Sequence, residues 1–184
     1  MQCRWSFRIL TPFVVLSISW SNRILAAPDD QSAAKIVCVD QLVRMNRCEL
    51  DELYRSSPAA TIPDGNLRGT AIAIPGSKCA PAASKFSRVM WQGKTFCNAD
   101  GQAVNKFFGL RCVRAQVSTG ESWMDGKPAL ILDYRQTSLV YGKVRDEIRQ
   151  VAHGIFLGAM YVESCCGPEF KRYFVLELET CCCE

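Results

Sequence analysis

The densest run of ionisable side chains lies at 144–151, which reads VRDEIRQV. Because the pattern alternates strictly, a β-strand would divide the run between two faces. One carboxylate, Asp146, then shares a face with Val144 and Ile148. Burial among apolar neighbours raises the pKa of a carboxyl group, as general acid–base catalysis needs. Asp146, with Tyr134 beside it, is therefore the candidate acid or base of a small isomerase or hydrolase, while a structural carboxylate paired with an arginine is the commoner alternative.

The other face of the run carries a ladder of alternating charge. If the preceding strand at 129–135 places Tyr134 on the face of Asp146, parity adds one more acid to this ladder. The ladder then consists of Asp133, Arg145, Glu147 and Arg149. One interpretation is a solvated outer face of weak salt bridges. The other is the polar floor of a pocket in which an arginine binds a carboxylate bidentately, and on that interpretation the ladder joins Tyr134 and Asp146 as the predicted ligand-binding residues.

Signatures of a catalytic or metal site are missing from the sequence. The one histidine, His153, lies beside Gly154 at a turn, where exposure is the default. No Gly-x-Ser-x-Gly nucleophile elbow occurs. The sequence therefore predicts no catalytic residue, no metal and no cofactor.

The cysteine content is high for a chain of 184 residues. Of the 11 cysteines, those after the first 27 residues are Cys38, Cys48, Cys79, Cys97, Cys112, Cys165, Cys166, Cys181, Cys182 and Cys183. In an oxidising compartment this even set favours disulfides, with the pairing left open. Strand neighbours point to opposite faces, so Cys165 and Cys166 should have different partners, or one should be free. We expect the thiols of 181–183 to reach Cys38 or Cys48, and a soft-metal site is the alternative, although adjacent cysteines lack the spacing that a tetrahedral zinc site needs.

The first 27 residues have the features of a secretory signal peptide. A short basic start precedes an apolar run at 9–20 and the small residues Ala26 and Ala27. This apolar run is shorter than the ~20 residues that span a bilayer, and an uncleaved anchor is the alternative. The segment has three arginines and no acid, so its removal lowers the formal charge of the chain from +4 to +1. A nearly neutral remainder without a Lys/Arg cluster excludes a nucleic-acid-binding protein.

Turn and periodicity signals divide the rest into a helical segment with a linker at 28–66 and a β-rich domain with a cysteine-rich tail at 67–184. In the first part Asn46 and Glu49 form a capping box that starts a helix at 47–55. In the second part alternating runs bounded by turn residues predict a helix at 80–90 and strands at 67–74, 91–97, 102–108, 111–118, 129–135, 144–151, 155–163 and 172–179. Hairpin-joined strands favour closure, which removes exposed edges. The predicted fold is mainly β: an antiparallel, up-and-down, lipocalin-like barrel with a short helical N-terminal segment after the signal peptide.

Five blocks of the β-rich part resemble a known family. They are WQGKTF at 91–96, LDYR at 132–135, RDEIRQV at 145–151, FLGAMY at 156–161 and YFVLELE at 173–179. In order and spacing these blocks are similar to an uncharacterised bacterial β-rich family of lipocalin-like character that is often found with a Gly-x-Trp-x-Gly module. The module itself is absent, because Val89 and Met90 precede Trp91. The resemblance implies a small-molecule-binding barrel and carries over no catalytic residue.

Three functions follow as expectations. The first is a secreted or periplasmic barrel that binds a small, partly apolar ligand, with no nucleic-acid partner and no stable membrane span after signal cleavage. The second is a structural or interaction module of the cell envelope, whose barrel is packed solid. The third is the small extracytoplasmic isomerase or hydrolase that would use Asp146.

Overall fold

The computed structural model describes residues 38–61 and 64–179. The predicted signal peptide at 1–27 and the cysteines at 181–183 lie outside the described residues. The helices are α1 (Val39–Leu42), α2 (Arg47–Ser56) and α3 (Ala80–Met90), and a 3₁₀ turn spans Asn98–Asp100. The strands are β1 (Gly65–Ile72), β2 (Trp91–Cys97), β3 (Gln102–Phe107), β4 (Leu110–Glu121), β5 (Pro128–Asp133), β6 (Val144–Ala152), β7 (Ile155–Ser164) and β8 (Gly167–Leu178).

The eight strands form a closed barrel. Each strand pairs antiparallel with the next along the chain, and β8 returns to pair with β1. This confirms the predicted up-and-down barrel of mainly β structure. An eight-stranded barrel is just wide enough to be filled by its side chains or to hold one small ligand.

Two apolar clusters lie on the two faces of the sheet. Inside the barrel, buried side chains pack from all eight strands; among them are Leu67, Phe96, Ala103, Ala115, Leu130, Ile148, Phe156 and Leu176. Outside, the second cluster joins Leu42, Leu50 and Tyr54 of the first two helices to the outward side chains of β7 and β8. Helices α1 and α2 therefore cover one side of the barrel wall.

Helix α2 begins at the predicted capping box. The Asn46 side chain accepts a hydrogen bond from the backbone N–H of Glu49 at 3.0 Å, and the Glu49 carboxylate accepts one from the backbone N–H of Asn46 at 2.7 Å. Two otherwise unpaired N–H groups at the helix start are satisfied in this way. The helix ends at Ser56, one residue beyond the predicted end.

The cysteines of the described residues are not paired with one another. Cys38, Cys48, Cys79, Cys97, Cys112, Cys165 and Cys166 are all free and exposed. Cys165 and Cys166 lie in the β7–β8 connection with their sulfur atoms 3.7 Å apart, which is not a bond. Any pairing with 181–183 falls outside the described residues and stays a prediction.

The charged ladder of β6 is not the solvated face that one interpretation predicted. Glu147 and Arg149 lie on the outer face of the barrel, yet both are 0 % exposed. Tyr54 of α2 and the β4–β5 connection at 122–127 cover them. That interpretation is therefore wrong for these two residues, because the ladder is covered by other elements of the chain. None of the described helices has the length and apolar content that a membrane crossing would need.

Candidate functional site

A polar cluster lies inside the otherwise apolar barrel. The ammonium group of Lys94 donates to Asn105 Oδ1 at 2.7 Å, to Tyr134 Oη at 2.7 Å and to Asp146 Oδ2 at 2.9 Å. The Tyr134 hydroxyl donates to the same Asp146 oxygen at 2.7 Å. Lys94 is 3 % exposed and Asp146 is 4 % exposed. The three N–H donors of the lysine are thus all satisfied by side chains of the barrel interior.

Strand register brings the cluster together. Lys94 lies opposite Asn105 in the β2–β3 pair. Asp146 lies opposite Leu132 in the β5–β6 pair, and Leu132 is two residues before Tyr134 in the chain. Side chains that alternate along a strand return to the same face every second residue. Asp146 therefore points inward with Val144 and Ile148, as the alternation predicted, and Tyr134 meets it there.

Two backbone irregularities, one near the start of β2 and one in β4, help to place Lys94 and Asn105. The register of β2 shifts between Trp91 and Gly93, where Gly93 has φ +121°. A Cβ there would lie 2.0 Å from the backbone oxygen of Leu67, so only glycine fits. The neighbouring residue Lys94 is consequently turned into the interior by a backbone bend that this glycine permits.

The second irregularity is a bulge in β4. Val113 is the unpaired residue between Arg114 and Cys112, and its φ of +60° is unusual for a β-branched side chain. Its carbonyl oxygen accepts a hydrogen bond from Asn105 Nδ2 at 3.1 Å. The same amide donates to Tyr134 Oη at 3.0 Å. The bulge thus fixes the amide orientation that turns Asn105 Oδ1 toward Lys94.

A cavity of about 200 Å³ lies beside the cluster. Its inner wall is formed by buried side chains that include the whole cluster, and its outer part by half-buried ones such as Phe107, Tyr141 and Val144. The cavity opens at the barrel end that carries the β1–β2, β3–β4, β5–β6 and β7–β8 connections, which we call the open end. The other end is filled by the interior apolar cluster.

One guanidinium group stands at the mouth of the cavity. Arg172 of β8 lines the cavity and is exposed, and it has no ion pair with another described residue. The sequence predicted Arg145 and Arg149 as carboxylate-binding groups for a ligand, but each of them binds a carboxylate of the chain itself. The Arg149 guanidinium donates to both carboxylate oxygens of Asp125, at 2.8 and 2.7 Å, and Arg145 Nε donates to Glu147 at 2.9 Å.

Burial changes the acid–base properties of the cluster. Desolvation lowers the pKa of Lys94, and the neighbouring charge of Asp146 opposes this effect by raising it. Desolvation raises the pKa of Tyr134 well above the ordinary value, and the charge of Asp146 raises it further. Tyr134 therefore stays a neutral phenol that can donate to Asp146 over the ordinary pH range.

Of the six predicted ligand-binding residues, only Tyr134 and Asp146 line the cavity. Tyr134 and Asp146 are in contact in the interior. Arg145, Glu147 and Arg149 lie on the outer face, away from the cavity. Asp133 is half-buried, accepts a hydrogen bond from the backbone N–H of Arg135 at 2.8 Å, and lines a separate small pocket with Arg145. His153, at the β6–β7 turn, is exposed.

Sequence reasoning missed Lys94, Asn105 and Trp91. Trp91 Nε1 donates to Asn105 Oδ1 at 3.0 Å, and the Lys94 ammonium lies 5.5 Å from the Trp91 ring centroid. One signal was available, since Lys94 shares its parity with Phe96 in the WQGKTF strand. A lysine on the apolar parity of a barrel strand indicates a buried cation and hence a buried anion to match it.

The described residues hold no group of three or more His, Cys, Asp or Glu side chains that could bind a metal ion.

The sequence and the structure were compared with those of known proteins. No family model matches the chain, and no curated protein matches it. The chain is similar to a crystal structure of a protein from Thermomonospora curvata, with 18% sequence identity over 74% of this chain and 89% of that one and a TM-score of 0.49.

Proposed function

We propose that this protein is an exported barrel that binds one small, partly apolar molecule in the cavity at its open end. The observation that carries the proposal is a mainly apolar cavity with the buried Lys94, Tyr134 and Asp146 cluster in its wall. Ligand sites usually combine an apolar lining with a few fixed polar groups of this kind. An eight-stranded barrel suits a ligand-binding protein in general.

The cavity and its polar atoms narrow the class of ligand. At about 200 Å³ the cavity is smaller than the pockets of about 300–1,000 Å³ that hold drug-sized molecules, so the ligand is compact. Asp146 Oδ2 accepts from both Lys94 and Tyr134, and Oδ1 takes neither bond, so a ligand hydroxyl can donate to Oδ1. Arg172 at the mouth can bind a carboxylate. The proposed ligand is therefore a compact apolar molecule with a hydroxyl at its inner end and an acidic group at its outer end.

The predicted signal peptide supports the proposed export. Intact-mass measurement of the protein recovered from its own cells, with and without reduction in an alkylating reagent, tests it. A mass that begins after Ala27 is expected. A mass that retains the first 27 residues would contradict export with cleavage, and the number of alkylated thiols tests the disulfide prediction separately.

Ligand binding is tested by native mass spectrometry, followed by calorimetric titration with small hydroxy acids of increasing apolar size. Val144→Trp should fill the mouth of the cavity and weaken binding at least tenfold, because a bulky ring there takes the ligand's space. Val117→Trp is the matched control, since Val117 is also a half-buried strand valine but does not line the cavity. Equal binding by wild type and Val144→Trp, or no ligand in any assay, would leave a structural module as the better interpretation.

The same cluster supports a second candidate, an acid–base enzyme such as an isomerase or hydrolase. Buried ionisable groups with shifted pKa values in a cavity are frequent at catalytic sites, and Lys94 and Tyr134 have both properties. Asp146→Asn separates the two functions. An enzyme would lose turnover of a substrate that it still binds, whereas a binding protein would show no turnover before or after the change.

A further inference from the structure

The open end of the barrel gathers the exposed apolar side chains of the molecule. Nine large apolar side chains are exposed among the described residues, and Leu178 is the single one at the other end. The remaining eight form what we call the apolar rim: Ile74, Phe86, Val89, Met90, Phe108, Leu110, Leu139 and Val140. Seven of them lie in three connections of the open end and Leu110 begins β4 there; Leu139 is 105% and Val140 87% exposed.

Charge is distributed with the same asymmetry. The four connections of the open end, at 73–90, 108–109, 134–143 and 165–166, contain no aspartate or glutamate. They contain five cations: Lys78, Lys85, Arg88, Arg135 and Lys143. Arg88 donates to Thr70 and Arg135 pairs with Glu163, whereas the three lysines are exposed and form no ion pair with another described residue. At the opposite end, the β2–β3 and β4–β5 connections carry two acids, Asp100 and Asp125, and one cation, Lys127.

We propose that the open end docks on the surface of an anionic phospholipid bilayer. Lysines near such a surface are attracted to its negative potential, and apolar side chains gain by entering the interfacial region beneath the headgroups. The rim side chains project from separate connections rather than from one flat patch. A deformable lipid surface receives them all at once, whereas a protein partner would need a matching pocket for each.

The cavity lies at the same end, so a docked barrel would present its mouth to the lipid. A partly apolar ligand could then pass between the bilayer and the cavity without crossing water. Docking itself depends on the rim and the lysines and not on the ligand. Failure of ligand binding and failure of docking are therefore separate experimental results.

The test is cosedimentation of the full chain with vesicles made of phosphatidylcholine alone or of an equal mixture of phosphatidylcholine and phosphatidylglycerol. We expect binding to the mixed vesicles that weakens as salt is added, because salt screens exposed charges. Replacement of Lys78 and Lys85 by glutamine should weaken this binding about 25-fold, which is about fivefold for each lysine near an anionic surface. Leu139→Ser together with Val140→Ser should weaken binding about tenfold, because both side chains are exposed and would enter the lipid.

Matched controls lie at the other end of the barrel. Arg55→Gln removes an exposed cation of α2, whose carbonyl bonds to Lys127 in the β4–β5 connection, and Leu178→Ser removes the ninth exposed apolar side chain. Neither should change vesicle binding. Vesicle binding that the rim variants leave unchanged would overturn the proposal, because the bilayer would then contact another part of the chain.

Two other outcomes would also overturn it. Binding to polyglutamate without binding to vesicles would indicate an acidic protein as the partner. A dimer in sedimentation equilibrium that Leu139→Ser with Val140→Ser dissolves, without vesicle binding, would indicate a second copy of the chain. Unchanged thermal unfolding of each variant shows that the rim substitutions act on docking and not on folding.

Discussion

At the scale of single residues, Lys94 and Asp146 dominate the energetics of the barrel interior. Both charges are nearly removed from water, and desolvation of two ions costs several kcal/mol each before their attraction is counted. Tyr134 and Asn105 supply the further hydrogen bonds that such a pair requires. The pair is therefore weak evidence for stability, but loss of either partner alone leaves an uncompensated buried charge.

We predict that Lys94→Met lowers the free energy of unfolding by about 3–5 kcal/mol, as is typical when one partner of a buried ion pair is removed. Asp146→Leu should cost a similar amount. The double variant should be closer to wild type than either single variant, because no buried charge remains. Urea denaturation of the four proteins measures this cycle, and additive losses in the double variant would show that the two charges do not interact.

The sequence predicted half of this cluster, for a definite physical reason. Strict alternation in VRDEIRQV was enough to place Asp146 among apolar neighbours and to bring Tyr134 beside it. The parity of Lys94 with Phe96 indicates a buried cation, but it does not indicate Asn105 as a partner, because a glycine bend and a bulge set how these two side chains meet. Nothing in the sequence indicates that Val113, a β-branched residue, adopts a positive φ. Irregular backbone of this kind depends on the barrel's closure, which no local pattern encodes.

At the scale of elements, hydrogen bonds of Arg149 hold α2 and the β4–β5 connection against the barrel wall. Besides its paired bonds to Asp125, it donates to the carbonyl oxygens of Tyr54 at 3.0 Å and of Lys127 at 3.1 Å. Its guanidinium carbon also lies 4.6 Å from the Tyr54 ring centroid. Glu147 holds the same connection by accepting from the Ser122 hydroxyl and from the backbone N–H of Trp123. Arg149 and Glu147 therefore position elements of the chain against the barrel wall.

We predict that the interaction between Arg149 and Asp125 contributes less to stability in acid. The Arg149 guanidinium holds the pKa of the Asp125 carboxyl below its ordinary value of 3.8. A lowered folded-state pKa contributes stability that is present above the unfolded-state pKa and is lost as pH falls through the folded-state pKa. Asp125→Asn should cost about 2 kcal/mol at neutral pH, which is typical of lost hydrogen bonds to a charged group.

Urea unfolding of wild type and Asp125→Asn at neutral pH and below pH 4 measures the effect. The difference between the two proteins should shrink in acid, because protonated Asp125 resembles asparagine. Glu52→Gln is a suitable control, since Glu52 is an exposed carboxylate of α2 that forms no ion pair with another described residue. A difference that stays constant across this range would show that Asp125 acts through its shape and not its charge.

Element boundaries were predicted more accurately than the environment of the elements. The bounds of α3 and β2 agree with the predicted 80–90 and 91–97, and Pro81 marks the start of the helix and Asn98 the end of the strand. The covering of the β6 outer face by α2 was not predicted. Nothing in VRDEIRQV distinguishes an arginine that faces water from one that faces a helix packed from 95 residues away in sequence.

At the scale of the whole molecule, the barrel has two unlike ends. One end is filled by aromatic and aliphatic side chains, and the other holds the cavity, the apolar rim and the unpaired lysines. Most of the phenol groups are buried, Tyr134 in the barrel interior and three others in the cluster between the barrel wall and its helical cover. Burial raises the pKa of Tyr54, Tyr134, Tyr161 and Tyr173, which are four of the five tyrosines in the chain.

This burial predicts alkaline unfolding of the entire barrel. Unfolded tyrosines lose their protons near pH 10, whereas these four keep theirs in the fold, so the folded state binds more protons and its stability falls as pH rises. Four protons correspond to a fall in the free energy of unfolding of about 5 kcal/mol per pH unit above pH 10. The lowered pKa of Lys94 acts in the opposite direction below about pH 10.5 and reduces this fall.

Ultraviolet titration of tyrosinate, followed together with circular dichroism, should show the four phenols ionising in one step with loss of structure. Tyr54→Phe is the sharpest variant, because the Tyr54 side chain is fully buried. It should remove about a quarter of the cooperative step, and gradual ionisation in a barrel that stays folded would contradict the prediction.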